Sequence, residues 1–214
     1  MTMKKIFYFF AATLVLADMF LQSGMGAYIG LVGMNRNCPQ PLICDTEQHL
    51  AGLQTLIQCL HDRQKDEINP LCKPIVTPRF IPSCTPDMLE QLGRMAQQYS
   101  LPVQSHLSEN MAEIEWVKEL EPDAPTYAHA YHKYGLFGQT PTLMAHCCYT
   151  DGEEKELMRQ SNVIAVHCPT SNSNLASGIA PIKQLLQANI PVALGTDVSG
   201  GNNLSVLRTI QYAI

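Results

Sequence analysis

The chain has 214 residues, of which 46% are hydrophobic, so it can bury the core of one domain or of most of a larger one. Its 19 acidic residues outnumber its 14 lysines and arginines, giving a net charge of −5, which excludes a basic surface for nucleic acid. Eight cysteines are scattered through apolar context, so we expect reduced thiols rather than a disulfide framework.

The first 22 residues allow two interpretations. A pair of lysines followed by the apolar run 6–17 matches a signal peptide, which would make the protein secreted. Asp18 leaves this run too short to cross a bilayer, so we expect no membrane span. We favour a strand over residues 6–10 and a helix over residues 11–22, because this pair continues the alternation found downstream.

Short apolar runs alternate with amphipathic stretches along the rest of the chain, which is typical of a parallel α/β protein. The predicted helices include residues 46–62, a helix opening at Pro86 behind a Thr85 cap, and residues 127–134 and 152–160. We predict seven strands, over residues 6–10, 27–32, 73–77, 103–106, 143–146, 164–167 and 192–195.

Polar side chains lie at or just after the ends of three of these strands. His106 and Glu109 follow one strand, His146 ends the next, and Asp197 follows the last. In a (β/α)8 barrel the carboxyl ends of the strands meet at one mouth, so these groups would converge. Imidazole and carboxylate ligands with a proton-carrying carboxylate are what metal-assisted hydrolysis requires.

Each motif has a simpler explanation when it is taken alone. Ser105 or Ser108 with a nearby Glu could form a capping box for a helix starting at Asn110. Asp197 could be only a turn or helix cap. However, polar groups occur at the ends of three strands in the order that such a barrel requires, which favours a functional site.

A loop rich in short polar side chains covers residues 167–178. It is suited to tying down the mouth of a barrel and to hydrogen bonding with a ligand. His167 could be a further metal ligand, although strand geometry does not require it. For Asn174 and Ser177 we prefer a plain turn.

Several separated motifs resemble the guanine deaminases of the amidohydrolase superfamily, and the similarity extends over essentially the whole chain. The matching stretches are residues 34–37, 78–80, 104–110, 144–146, 167–172 and 194–201. The resemblance implies a barrel of the metal-dependent hydrolase type and the conversion of guanine to xanthine and ammonia.

The resemblance also implies the role of each residue at the metal. His106 and Asp197 would be ligands of one Zn²⁺ ion per active site, with iron as a possible substitute. Glu109 would be the proton shuttle, His146 would position and polarise the attacking hydroxide, and Asp197 would also act as a base.

For substrate binding, the resemblance implies that Arg79 and Phe80 hold the purine, beside His106 and Asp197. Guanine presents O6 and N7 acceptors on one edge, which an arginine fork can bind with two hydrogen bonds while an aromatic ring packs on the base. The implied partner is the small-molecule purine, with no nucleic acid and no membrane. A homodimer and a cytoplasmic location are also expected.

One family motif is missing from this sequence. Members carry an H-x-H pair at the end of the first barrel strand, and no such pair occurs among the seven histidines here. We therefore expect residues 1–214 to form an incomplete α/β barrel domain with strands 2–8, lacking the first strand and the flanking β-sandwich. We expect little or no deaminase activity from this chain alone. The alternatives are an amidohydrolase acting on another heterocycle, such as an aminohydrolase or chlorohydrolase, and a non-catalytic relative.

Overall fold

The computed structural model describes residues 3–213, and the side chains from Phe10 onward. All strand pairs within these residues are parallel. The strands are Ala27–Ile29 (β1), Val32–Gly33 (β2), Cys72–Pro74 (β3), Thr77–Pro78 (β4), Val103–Leu107 (β5), Thr142–His146 (β6), Ile164–His167 (β7) and Val192–Leu194 (β8).

These segments form one continuous array with six strand positions. β1 pairs with β3, β2 pairs with β4, and β5 to β8 follow one another in a single sheet. The amide of Val76 donates to the carbonyl of Pro102, and the amide of Gln104 donates to the carbonyl of Val76, each at 2.9 Å. These bonds join the β3/β4 segment to β5.

Helices follow most strand positions, which makes the fold a partial (β/α)8 barrel of parallel strands. The helices are Met3–Gln22 (α1), Thr46–Arg63 (α2), Pro86–Gln98 (α3), Met111–Leu120 (α4), Tyr127–Lys133 (α5), Gly152–Gln160 (α6), Pro169–Asn174 (α7), Ile182–Gln187 (α8) and Val206–Tyr212 (α9). The predicted helices near residues 46–62, 86–96, 127–134 and 152–160 are confirmed, including the Thr85 cap of α3.

The predicted strand at residues 6–10 is wrong, because these residues belong to helix α1. Phe10, Leu14, Ala17 and Leu21 recur at helical spacing and pack on the core. The helical stripe therefore outweighs the β-propensity of the aromatic run. The described residues therefore hold six strand positions, where the sequence predicted seven strands.

The core lies between the sheet and the helices. Val103 and Leu107 of β5 are fully buried there, beside Leu89 and Leu92 of α3. Side chains alternate along a strand, so His106 belongs to the opposite face of β5. The sheet thus separates the apolar core from the face on which the polar groups lie.

All eight cysteines are free, which confirms the prediction of reduced thiols. Within residues 3–213, no helix combines the length and the apolar character that crossing a membrane requires.

Candidate active site

Side chains from three separate strand ends meet at the carboxyl edge of the sheet. His106, Glu109 and His146 each offer one ligand atom, and these atoms lie within 4.8 Å of one another. The carboxylate Oδ2 of Asp197 lies 4.0 Å from Nε2 of His146. The predicted convergence of these four residues is therefore confirmed.

The imidazole of His106 is held from behind by the neighbouring strand segment. Its Nδ1–H donates to the carbonyl oxygen of Arg79 at 2.8 Å, which leaves Nε2 as the nitrogen with a free lone pair. Burial lowers the pKa of His106, the nearby His146 lowers it further, and Glu109 and Asp197 partly offset both effects. The ring is therefore neutral at pH 7 and able to bind a metal.

His146 reaches the same site because of its backbone conformation. His146 lies two residues after Met144, so a regular strand would direct its side chain into the core, where Met144 is buried. The residue of β6 that pairs with His106 is Ala145. The φ of His146 is 69°, and its ring stacks on the ring of His106 rather than entering the core. A left-handed backbone at a residue other than glycine is often found at functional positions.

The ring of His146 is almost fully buried, and both of its nitrogens have a defined environment. Its Nδ1–H donates to the amide oxygen of Asn172 at 2.8 Å. Nε2 faces the carboxylates of Glu109, at 3.7 Å, and Asp197, at 4.0 Å. Both distances exceed that of a direct hydrogen bond, so there is room for a bridging species.

Each carboxylate is oriented by a serine. The hydroxyl of Ser177 donates to Oε1 of Glu109 at 2.6 Å, and the hydroxyl of Ser171 donates to Oδ2 of Asp197 at 2.5 Å. Asp197 lies three residues beyond the end of β8 at Leu194, in a backbone conformation with φ of 43°.

The capping explanation for the motif that follows β5 is excluded. Asn110 is the residue that caps α4, because its side-chain oxygen accepts the amide hydrogen of Glu113 at 2.9 Å. Neither Ser105 nor Ser108 serves as that cap: Ser105 donates to backbone carbonyls, and Ser108 donates to Glu154. The carboxylate of Glu109 is therefore free to face the cluster.

A small recess opens next to the cluster. It is lined by Arg79, Phe80, His106, Glu109 and Glu113. The guanidinium of Arg79 lies 5.7 Å from the centre of the Phe80 ring. The Phe80 ring meets that of His106 edge to face, with centroids 6.3 Å apart. The predicted purine-binding pair thus lies beside the predicted metal ligand.

Glu113 was not predicted from the sequence. It is buried, and burial raises the pKa of its carboxyl to about 7, with a further rise from Glu109 and opposing effects of Tyr127 and Arg79. Its Oε1 atom has no hydrogen-bond partner among the described residues. A carboxyl at position i+4 from Glu109 on the first turn of α4 could have indicated it.

The donor set suits a divalent cation. Two imidazoles each direct Nε2 toward the cluster, and two carboxylates face them, which gives nitrogen and oxygen ligands of the kind that zinc binds. The carboxylates carry negative charge that a cation would balance. His106, Glu109 and His146 have ligand atoms close enough to share one ion, and the carboxylate of Asp197 lies next to His146.

The predicted loop at residues 167–178 contains helix α7, and some of its polar residues behave differently from what the sequence predicted. Ser177 is not a plain turn residue, since it binds Glu109. Asn174 is exposed and donates to the carbonyl of Gly200, as a loop tie would. His167 is outside the metal-binding group found among the described residues, and its Nδ1 has no hydrogen-bond partner there.

Comparisons with known proteins agree with this geometry. The model of a family described as the Amidohydrolase family matches residues 8–214. Guanine deaminase of Dictyostelium discoideum is 40% identical over 95% of this chain and 44% of its own length. The probable guanine deaminase of Schizosaccharomyces pombe is 43% identical over 93% of this chain and 37% of its own length.

A solved structure of guanine deaminase from C. acetobutylicum, with guanine bound in the active site, superposes with a TM-score of 0.90. It is 44% identical and aligns with 96% of this chain and 48% of its own chain. The chain therefore spans less than half the length of each of these three proteins.

Proposed function

Since the chain belongs to the amidohydrolase family, we propose that its site serves the hydrolysis of guanine to xanthine and ammonia, with little or no turnover by these 214 residues alone. One observation carries the proposal: the recess that holds Arg79 and Phe80 shares His106 and Glu109 with the metal-binding cluster. A purine bound by Arg79 would therefore lie against the groups that activate water and carry protons.

His106 and Asp197 would hold the metal ion, which we expect to be zinc, with Glu109 and His146 next to it. When bound, such a cation supplies Lewis-acid chemistry that makes water nucleophilic at neutral pH. One ion per site, a cytoplasmic location and homodimeric assembly are further parts of the proposal, and they rest on the similarity to the family.

Glu109 would carry protons in the reaction. Ser177 binds its Oε1, and Oε2 lies 3.7 Å from Nε2 of His146. The free oxygen can take one proton from the attacking water and deliver it to the purine ring nitrogen, and it can then carry the second proton, from the hydroxyl formed at C2, to the departing amine. Addition of water at C2 followed by loss of ammonia gives xanthine.

His146 would position and polarise the attacking hydroxide. Its Nε2 lone pair points between Glu109 and Asp197, because Nδ1 is committed to Asn172. Asp197 presents a second carboxylate on the other side of that nitrogen, as a base. A water between these three groups would have acceptors for both of its hydrogens.

Arg79 and Phe80 would recognise the purine. The guanidinium presents paired donors that match O6 and N7 of guanine. Adenine carries an amino group in place of O6, so the same fork cannot bind it with two bonds. This fork therefore favours guanine over adenine.

Trp116 provides a direct test of guanine binding. It is the only tryptophan of the chain, and its ring lies 6.1 Å from the ring of Phe80. We expect guanine to change the fluorescence of Trp116 in a saturable titration, and adenine to bind at least about tenfold more weakly, which corresponds to about 1.4 kcal/mol.

A matched pair of variants makes the test specific. Arg79→Lys keeps the charge and removes the fork, so we expect its Kd for guanine to rise on the order of tenfold. Arg94→Lys changes an exposed arginine that pairs with Glu90 on α3, and its Kd should equal that of the unmodified protein. Equal binding of adenine and guanine, or an unchanged Kd in Arg79→Lys, would refute the proposal.

A further inference from the structure

One short segment contacts three of the four residues that converge at the site, which we call the cluster: His106, Glu109, His146 and Asp197. We propose that residues 169–177, comprising α7 and the turn after it, form a positioning element that orients Asp197, His146 and Glu109 through Ser171, Asn172 and Ser177. The inference rests on the proposed function for its meaning, because it assigns a task to residues around the same site. Each contact is a single hydrogen bond of 2.5 to 2.8 Å.

The burial of the three side chains supports this assignment. Ser171, Asn172 and Ser177 are 0%, 3% and 4% exposed. A buried polar group costs free energy unless it finds a partner, and the partner of each is a member of the cluster. The Nδ2 group of Asn172 has no hydrogen-bond partner among the described residues, so the bond to His146 is the one contact that its side-chain amide makes there.

The neighbouring side chains on the same segment provide a contrast. Ser173 is exposed and donates to the carbonyl of Pro169, within its own helix. Asn174 is exposed and donates to the carbonyl of Gly200. Residues of the same two types therefore make backbone contacts when exposed and contact the cluster when buried. On α7, the buried side chains of Ser171 and Asn172 contact the cluster, and the exposed side chains of Ser173 and Asn174 contact backbone carbonyls.

The backbone of the segment holds the three side chains in register. The amide of Asn172 donates to the carbonyl of Cys168, and the amide of Ser177 donates to the carbonyl of Asn172, each at 2.9 Å. Ala176 has a φ of 53°, which turns the chain back so that Ser177 faces Glu109. Since the three groups lie on one hydrogen-bonded segment, their positions relative to the three cluster residues are set together.

The bond from His146 to Asn172 determines the tautomer of the imidazole. With Nδ1 protonated, Nε2 keeps its lone pair toward Glu109 and Asp197. The two serines each occupy one oxygen of a carboxylate, Oε1 of Glu109 and Oδ2 of Asp197. In Glu109 the oxygen that faces His146 is Oε2, which the segment leaves free, whereas in Asp197 the oxygen that faces His146 is Oδ2, the one that Ser171 binds.

The test is nuclear magnetic resonance on the full 214-residue chain labelled with ¹⁵N and ¹³C. His146→Gln, Glu109→Gln and Asp197→Asn would assign the ring nitrogens of His146 and the two carboxyl carbons. We expect a protonated Nδ1 in His146 of the unmodified protein. Asn172→Ala should convert this signal to a mixture of tautomers, and Asn172→Asp should restore it, because aspartate also offers an acceptor oxygen.

The serine variants should each move one signal. Ser171→Ala should shift the carboxyl carbon of Asp197 and leave that of Glu109 unchanged, and Ser177→Ala should do the reverse. Ser173→Ala is the matched control on the same helix, and it should leave all three signals in place. The amide spectrum of each variant reports that the chain is folded.

Two results would overturn the inference: a protonated Nδ1 of His146 that persists in Asn172→Ala, or equal shifts of all three groups in every variant, Ser173→Ala included. The measurement needs neither guanine nor metal. Failure of guanine binding would therefore refute the proposed function alone, and failure of the one-to-one pattern would refute the positioning role alone.

Discussion

The imidazole rings of His106 and His146 stack face to face, with centroids 5.2 Å apart and planes within 5° of parallel. They come from the neighbouring strands β5 and β6. A positive charge on one ring is disfavoured beside the other, and after burial His146 is the next cause of the lowered pKa of His106. The stack therefore keeps an unprotonated ring nitrogen available at the cluster.

The first prediction concerns zinc binding. His106→Gln keeps a donor for the carbonyl of Arg79 and removes the imidazole nitrogen, so we expect zinc affinity to fall on the order of 10–100-fold. Isothermal titration with Zn²⁺ at neutral pH measures the change. His61→Gln is the control, since the side chain of His61 is 72% exposed, and its affinity should not change. Equal affinities in the two variants would contradict the role of His106.

The second prediction concerns turnover. We expect little or no conversion of guanine by the zinc-loaded 214-residue chain, because His106 and Asp197 are fewer than the four ligands of a tight zinc site and no H-x-H pair occurs in the sequence. Xanthine formation measures it, with the guanine deaminase from C. acetobutylicum as the positive standard. Sustained turnover that Glu109→Gln abolishes would show that the ligands present are sufficient.

The alternation of strands and helices could be predicted because buried parallel strands and amphipathic helices leave distinct apolar patterns. The convergence of His106, His146 and Asp197 followed from the same pattern, since the ends of parallel strands meet at one edge. Residues 6–10 could not be assigned correctly, because a short aromatic run fits a strand or a helix until its packing partners are known.

The supporting contacts of the site were harder to predict. Ser171, Asn172 and Ser177 lie in a segment whose composition predicts a loop, and only the fold shows that it contains α7 and which of its side chains are buried. The left-handed backbone that turns His146 toward His106 leaves no clear sequence signal, since most histidines adopt other conformations.

The third prediction concerns the loop that holds Asp197. A Cβ atom at Gly200 would lie 2.5 Å from Oγ of Ser171 and 2.7 Å from Oδ2 of Asp197. Gly200→Ala should therefore break the bond between these side chains and weaken zinc binding on the order of tenfold. Gly152→Ala is the control, because a Cβ atom there, at the start of α6, would meet none of the described atoms within 4 Å. Unchanged zinc affinity in Gly200→Ala would show that Asp197 does not depend on this contact.

The last prediction concerns the buried carboxyl of Glu113. Its pKa is raised from 4.5 to about 7, so the folded state holds this proton more tightly than the unfolded state does. The associated stability is fully present below pH 4.5 and is lost as the pH rises to about 7. At 1.36 kcal/mol per pKa unit, the loss is about 3 kcal/mol.

Glu113→Gln removes this ionisation. We expect the variant to be as stable as the unmodified chain near pH 4.5 and more stable, by up to about 3 kcal/mol, near pH 8. Urea unfolding at both pH values measures the difference. Glu115→Gln, on the exposed face of the same helix, should follow the unmodified chain at each pH. If Glu113→Gln and Glu115→Gln show the same change of unfolding free energy with pH, the loss of stability at high pH comes from a group other than Glu113. The surroundings of Glu113 would then not favour its protonated form.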